Sequence, residues 1–239
     1  GPAPGLGEPG RPAAPFPSGA GPTICAGKGG YMANHVQHRL HDLELPEPHA
    51  QEALRCALHT IIFAREPKSV DPVDVHCEHF PMSYSACRGS DVQAKVESAV
   101  RDFLATLVPA GPELLRGFVT VQFAVKKSMT RGLFWTREDK VVWEEWVLPL
   151  LVNTSLQPAA NDRIPADERH RLQHAQDAEY AANFEVWMHK VFNFLNQGVE
   201  HIPPPGESSH EITIICHQGS EREVARGRSM STLVPVGQL

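Results

Sequence analysis

Two stretches constrain the fold of this chain more than any other. Residues 117 to 126 alternate strictly, with Val119, Val121, Phe123 and Val125 on one side, and residues 141 to 152 (VVWEEWVLPLLV) form a second, more apolar run. A two-residue repeat is what a strand with one buried face requires. The two runs predict a long antiparallel hairpin. Trp143 and Trp146 fall on opposite faces of its second strand, and Pro149 belongs at an edge or a bulge because proline has no N–H to give to a ladder. The connection, Lys126 to Lys140 (KKSMTRGLFWTREDK), is far longer than the roughly two to five residues of an ordinary hairpin loop. Leu133, Phe134 and Trp135 stand at its centre. Lys126, Lys127, Arg131, Arg137 and Lys140 flank them, against only Glu138 and Asp139. Adjacent aromatics on a loop tip leave apolar area in water unless something covers it. One reading is an exposed finger that inserts into a partner or an anionic membrane surface. The other is a loop that folds back and plugs its own sheet.

The remaining elements arrange themselves around this pair. Residues 38 to 45 suit a short first strand. Pro46 and Pro48 open a helix in which Leu54, Leu58, Ile61 and Ile62 share a face, and Pro67 ends it. Residues 73 to 84 read as a second extended segment. Ser90 and Gln93 form a capping-box pair before a helix whose stripe is Val92, Val96, Val100, Phe103, Leu104 and Leu107. Pro109, Gly111 and Pro112 stop it. A long helix runs to Gln197 with Tyr180, Phe184, Trp187, Met188, Val191, Phe194 and Leu195 on its buried stripe, and Gly198 supplies a left-handed cap. A last strand covers roughly His210 to Cys216. Strands and helices mix without a repeating βαβ unit, which predicts an α+β domain on an antiparallel sheet.

Residues 1 to 31 form a Gly/Pro-rich extension; nine glycines and seven prolines in the first 30 residues oppose regular structure. Met32 reads as a natural start. The foldable domain spans 32 to 217, and 218 to 239 form a short polar tail. A net charge of −6 argues against general nucleic-acid affinity, which needs clustered cations. Five scattered cysteines, Cys25, Cys56, Cys77, Cys87 and Cys216, make neither a disulfide framework nor a zinc ribbon and suit a reducing compartment. No basic segment followed by an apolar one opens the chain, so no signal peptide is expected.

Enzymatic signatures are missing where they would have to stand. His76 and His79 lie on opposite faces of an extended segment and cannot share an ion. His170 and His174 have helical spacing, but Arg171 occupies the place of the glutamate in a zinc-protease motif. His35, His38 and His41 belong to a flexible or edge segment with no carboxylate or thiol spaced to complete a site. Gly27-Lys28 lacks the first glycine and the Ser or Thr of a phosphate loop. No catalytic residue, metal or cofactor is expected.

The runs ALRCALHTIIF (Ala53 to Phe63), GLFW (Gly132 to Trp135), KVVWEEWVLPLLV (Lys140 to Val152) and FEVWMHKVFNFLNQGVEHIPPP with HEITI after it resemble the autophagy-related protein 101 family, especially its plant forms, over about residues 32 to 217. The resemblance implies a HORMA domain, with a central antiparallel sheet packed with helices and a long hairpin carrying an exposed aromatic finger. It implies a non-enzymatic adaptor of the autophagy-initiating Ser/Thr kinase complex, cytoplasmic and at the site of autophagosome formation. It further implies pairing with the HORMA domain of autophagy-related protein 13 and recruitment of downstream factors through the finger. Leu133, Phe134 and Trp135 match the finger by position, although the family pattern places Trp before Phe. His59, Thr60 and Arg65, near the end of the first helix, are candidates for the pairing surface. The competing readings are a core histidine for His59 and a solvated helix-end charge for Arg65. With so short a tail, the resemblance implies a fixed, open-type topology.

Overall fold

A computed structural model describes residues 35–65, 71–88, 91–130, 136–155, 165–203 and 209–219; side chains are further restricted to exclude 71, 88, 127–130 and 136–139. In chain order the elements are β1 (Val36–Arg39), β2 (Leu43–Pro46), α1 (Glu47–Arg65), β3 (Asp71–His76), β4 (Ser83–Arg88), α2 (Asp91–Thr106), β5 (Val108–Gly111), β6 (Leu114–Thr130), β7 (Thr136–Asn153), α3 (Ala166–Asn196) and β8 (Ser209–Gln218).

The β6–β7 hairpin is the spine. Its antiparallel ladder runs from Leu114↔Asn153 out to Thr130↔Thr136. β8 lies antiparallel along the other side of β6, from Gly117↔Gln218 to Lys126↔Ser209, and the short β5 pairs with the start of β6. On the far side of β7, β1 and β2 pair in parallel. The sheet is therefore mixed, and the expectation of a purely antiparallel sheet is corrected: the chain enters alongside β7 in the same direction, and α1 carries it away. β3 and β4 make a separate two-stranded antiparallel hairpin.

Two details of β7 depart from the alternation rule for one physical reason each. The register slips between Phe123 and Ala124, whose partners are Glu144 and Val142, so Trp143 is an extra residue in the ladder. A bulge of this kind breaks the alternation of faces. Trp143 and Trp146 consequently join one core cluster instead of facing opposite ways, with the Phe123 ring 5.5 Å from Trp143. Pro149 sits on a strand paired on both sides. It is tolerated because β1 ends opposite Val147 and β2 begins opposite Leu150, leaving the missing N–H at the break.

The helices cover the sheet with the residues their periodicity selects. α1 buries Leu54, Leu58 and Ile61 completely, each worth about 1.5–3 kcal/mol of apolar transfer. α2 buries Val92, Val96, Val100 and Phe103; Leu104 and Leu107 are partly buried against the same cluster. α3 buries Phe184, Trp187, Met188, Val191 and Leu195, and the Trp187 indole donates to the His41 carbonyl at 3.0 Å. Gly198 has φ +57° just past the end of α3, the left-handed conformation glycine adopts at little cost. The predicted first strand is split into β1 and β2, and the segment read as one extended piece from 73 to 84 is parts of two strands with a bend between them. β5 has no counterpart in the sequence reading, which treated that stretch as a stop. Ser90 and Pro67 lie outside the described residues.

Candidate functional site

The first feature is an arm. Beyond Lys126, where β8 ends its pairing, β6 and β7 continue as a ladder through four more rungs, Lys127↔Asp139, Ser128↔Glu138, Met129↔Arg137 and Thr130↔Thr136. At about 3.4 Å per residue this carries the hairpin on the order of 14 Å past its neighbours. Leu133, Phe134, Trp135 and Arg131 lie outside the described residues. The Lys127 and Arg137 backbones belong to the arm, and their side chains are likewise outside the description. Lys126 is exposed at its base, and its Nζ lies 3.7 Å from Glu211. Lys140 Nζ donates to the same carboxylate at 2.9 Å and to Thr213 at 2.8 Å. Glu211 thus offsets part of the positive charge at the base of the arm.

The second feature is a buried carboxylate. Glu144 is fully buried and accepts from four directions. Arg65 Nε reaches its two oxygens at 3.1 and 2.8 Å. The Trp146 indole N–H donates to Oε1, and His201 Nε2 to Oε2 at 2.7 Å. Arg65 Nη2 also donates to the Leu195 carbonyl at 3.3 Å, serving one of the orphan acceptors at the end of α3. His38 stacks at 4.4 Å on Trp146 with Nε2 3.5 Å from Glu144. Burial pushes the His38 imidazole down to about 4, helped by Arg65 and His201 and opposed by Glu144. One carboxylate thereby ties the end of α1, β1, β7 and the segment after α3.

His38, Glu144 and His201 bring three potential ligand atoms within 4.8 Å of one another. The donor set does not fit a cation. Arg65 already supplies the compensating charge, and four N–H donors occupy the oxygen lone pairs that a metal would need. The arrangement is a structural latch. Sequence reasoning missed it: His38 was placed in a flexible or edge segment, yet on edge strand β1 it is only 7% exposed. The signal available was a pair of glutamates between two tryptophans in an apolar strand; alternation requires one of the two to face inward.

Beside the latch opens a cleft of about 620 Å³ between α1, the β3–β4 hairpin and the end of α3, lined in part by Thr60, Phe63, Asp74, Tyr84, Phe192 and Asn196. Phe63 and Phe192 expose 42% and 43% of their surface there. Of the three residues proposed for a pairing surface, Thr60 reaches this cleft; its hydroxyl donates to the Cys56 carbonyl at 2.8 Å. His59 and Arg65 are corrected as surface contacts. His59 is 2% exposed and stacks behind Tyr84 at 5.7 Å, and Arg65 is held in the latch at 7% exposure. The helix turns these two inward because its stripe is wider than the aliphatic residues alone marked.

Among the described residues no helix is long and apolar enough to cross a membrane. The other histidine pairs also resolve structurally: His76 Nδ1 bonds the Ser83 hydroxyl at 2.7 Å, and His79 stacks on His49 at 4.2 Å.

An α+β domain with three helices on a mixed sheet, an internal latch, an open apolar-rimmed cleft and a projecting hairpin has the make-up of a protein-binding module. The family described as Autophagy-related protein 101 matches residues 42–209, and the chain belongs to that family. It is similar to Autophagy-related protein 101 of Arabidopsis thaliana, 26% identical over 192 residues that cover 74% of this chain and 85% of the relative.

Proposed function

We propose that the protein is a non-enzymatic HORMA-domain adaptor of the autophagy-initiating kinase complex. In this reading it acts in the cytoplasm where autophagosomes form. One surface pairs with the HORMA domain of autophagy-related protein 13, and the arm presents Phe134 and Trp135 to downstream factors. Membership of an autophagy-related family supports the process. The observation that carries the adaptor mechanism is the hairpin that continues past its sheet, a shape with little use except to hold its tip away from the body. For the pairing surface, the exposed phenyl rings of Phe63 and Phe192 around the cleft have the aromatic character of interface anchors. A protein partner is preferred over a membrane for the arm, since Glu211 draws in both Lys126 and Lys140.

The test is co-purification of the full chain with the HORMA domain of autophagy-related protein 13 from the same source, analysed by size-exclusion chromatography with light scattering. A one-to-one complex that Phe63→Asp or Phe192→Asp dissolves is the expected result. A chain that stays monomeric beside that domain overturns the pairing reading.

A further inference from the structure

Three sulfur atoms meet where α1 packs on the β3–β4 hairpin. Glu52 on α1 accepts from the backbone N–H groups of Glu78 and His79 at 2.6 and 2.8 Å, which pins the bend of the hairpin to the helix. One turn further along α1, Cys56 is 1% exposed, and its thiol donates to the Met82 thioether at 4.0 Å. The Met82 carbonyl in turn accepts from the Cys77 N–H at 3.0 Å. Cys77 is thus held against the same turn of α1 that carries Cys56, and the two thiols hydrogen-bond one another. Cys77 is half-buried, so a small reagent has access to one member of the pair. Both cysteines carry free thiols here.

We propose that Cys56 and Cys77 form a reversible dithiol–disulfide couple oxidised by a peroxide. The Cys77 thiolate attacks the peroxide O–O bond; an S–O bond forms, the O–O bond breaks, and hydroxide leaves and is protonated to water. The Cys56 sulfur then attacks the Cys77 sulfenic acid. The S–S bond forms, the S–O bond breaks, and the departing oxygen takes the Cys56 proton and leaves as a second water. Two thiols are oxidised and one peroxide is reduced, so the balance closes with no other reagent. A thiol reductant reverses the couple by exchange.

The environment sets the order of events. The Cys56 thiol donates to Cys77 and lowers its pKa, while that same contact and burial raise the pKa of Cys56. The half-exposed sulfur is therefore the thiolate and the buried one resolves it. Cys216 contrasts with this pair: its thiol donates to the Ala99 carbonyl at 3.3 Å, and burial pushes it up to about 11. The cross-link would join α1 covalently to the hairpin that supplies Ser83, Tyr84 and Ser85 to the cleft wall.

The test treats the full chain with hydrogen peroxide, blocks remaining thiols by alkylation and maps peptides without reduction. The expected product is a Cys56–Cys77 linked peptide that dithiothreitol removes, accompanied by a rise in melting temperature. Cys56→Ser should abolish the link and leave a Cys77 sulfenic acid that dimedone traps. Cys77→Ser, at the half-buried position, should abolish it in a folded chain and covers the case in which the Cys56 variant fails to fold. The proposal is overturned if both cysteines are recovered alkylated after peroxide. It is equally overturned if Cys77 in the wild-type chain goes on to sulfinic acid or pairs with another cysteine in preference to Cys56.

Discussion

Glu144 shows how much can depend on one side chain. Its carboxylate is fully buried and Arg65 beside it is nearly so, and a buried pair contributes little net stability yet costs dearly when halved. Glu144→Gln keeps the shape and strands the guanidinium, so denaturant unfolding should show a loss of about 3–5 kcal/mol. Arg65→Lys retains a charge but loses the contact of one nitrogen with both oxygens; its loss should be smaller, and a neutral result for both variants would refute the latch. His38 adds a pH dependence. Its folded pKa lies near 4, below the ordinary 6.5, so below about pH 6.5 the unfolded chain binds a proton that the folded chain refuses. Stability is complete above that pH and declines as pH falls towards 4. Burial pushes His49 and His59 in the same direction. Thermal melts from pH 7.5 down to 5 should therefore show a falling midpoint, less steep in His38→Phe, whose ring keeps the stacking on Trp146.

At the scale of elements, the contact of α2 with the sheet turns on Gly117. A Cβ there would stand 2.9 Å from the Phe103 ring, 3.2 Å from Leu107 and 3.4 Å from the His217 carbonyl. Phe103 is fully buried and has little room to yield, so Gly117→Ala should push α2 off β6 and cost about 1–3 kcal/mol, read as a lower unfolding midpoint in denaturant. The helices were the most legible elements, because Val92, Val96 and Val100, or Phe184, Trp187 and Val191, announce a buried stripe by spacing alone. Strands were legible as strands, but their partners were not. Nothing local in residues 38 to 45 distinguishes one strand from two, or parallel pairing from antiparallel, since those depend on where β7 runs. The bulge at Trp143 was equally hidden: alternation assumes an unbroken ladder.

For the whole molecule, the arm separates folding from recruitment. Phe134→Ala with Trp135→Ala alters a tip beyond the described strands, so the melting temperature and pairing with the partner HORMA domain should change little while capture of downstream factors is lost. Circular dichroism melts and pull-downs on the same variant check both halves; unfolding of the variant would make the tip part of the core. By itself the sequence determined the α+β class, the long hairpin, the three amphipathic helices, the aromatic cluster between Lys126 and Lys140 and the family likeness, because periodicity and motif order are local properties of the chain. Only the tertiary structure decided the parallel pairing of β1 and β2, the burial of His59 and Arg65, and the meeting of Arg65, Glu144 and His201 from distant segments. Those depend on which distant residues share space once the helices close over the sheet, and no spacing along the chain encodes that distance.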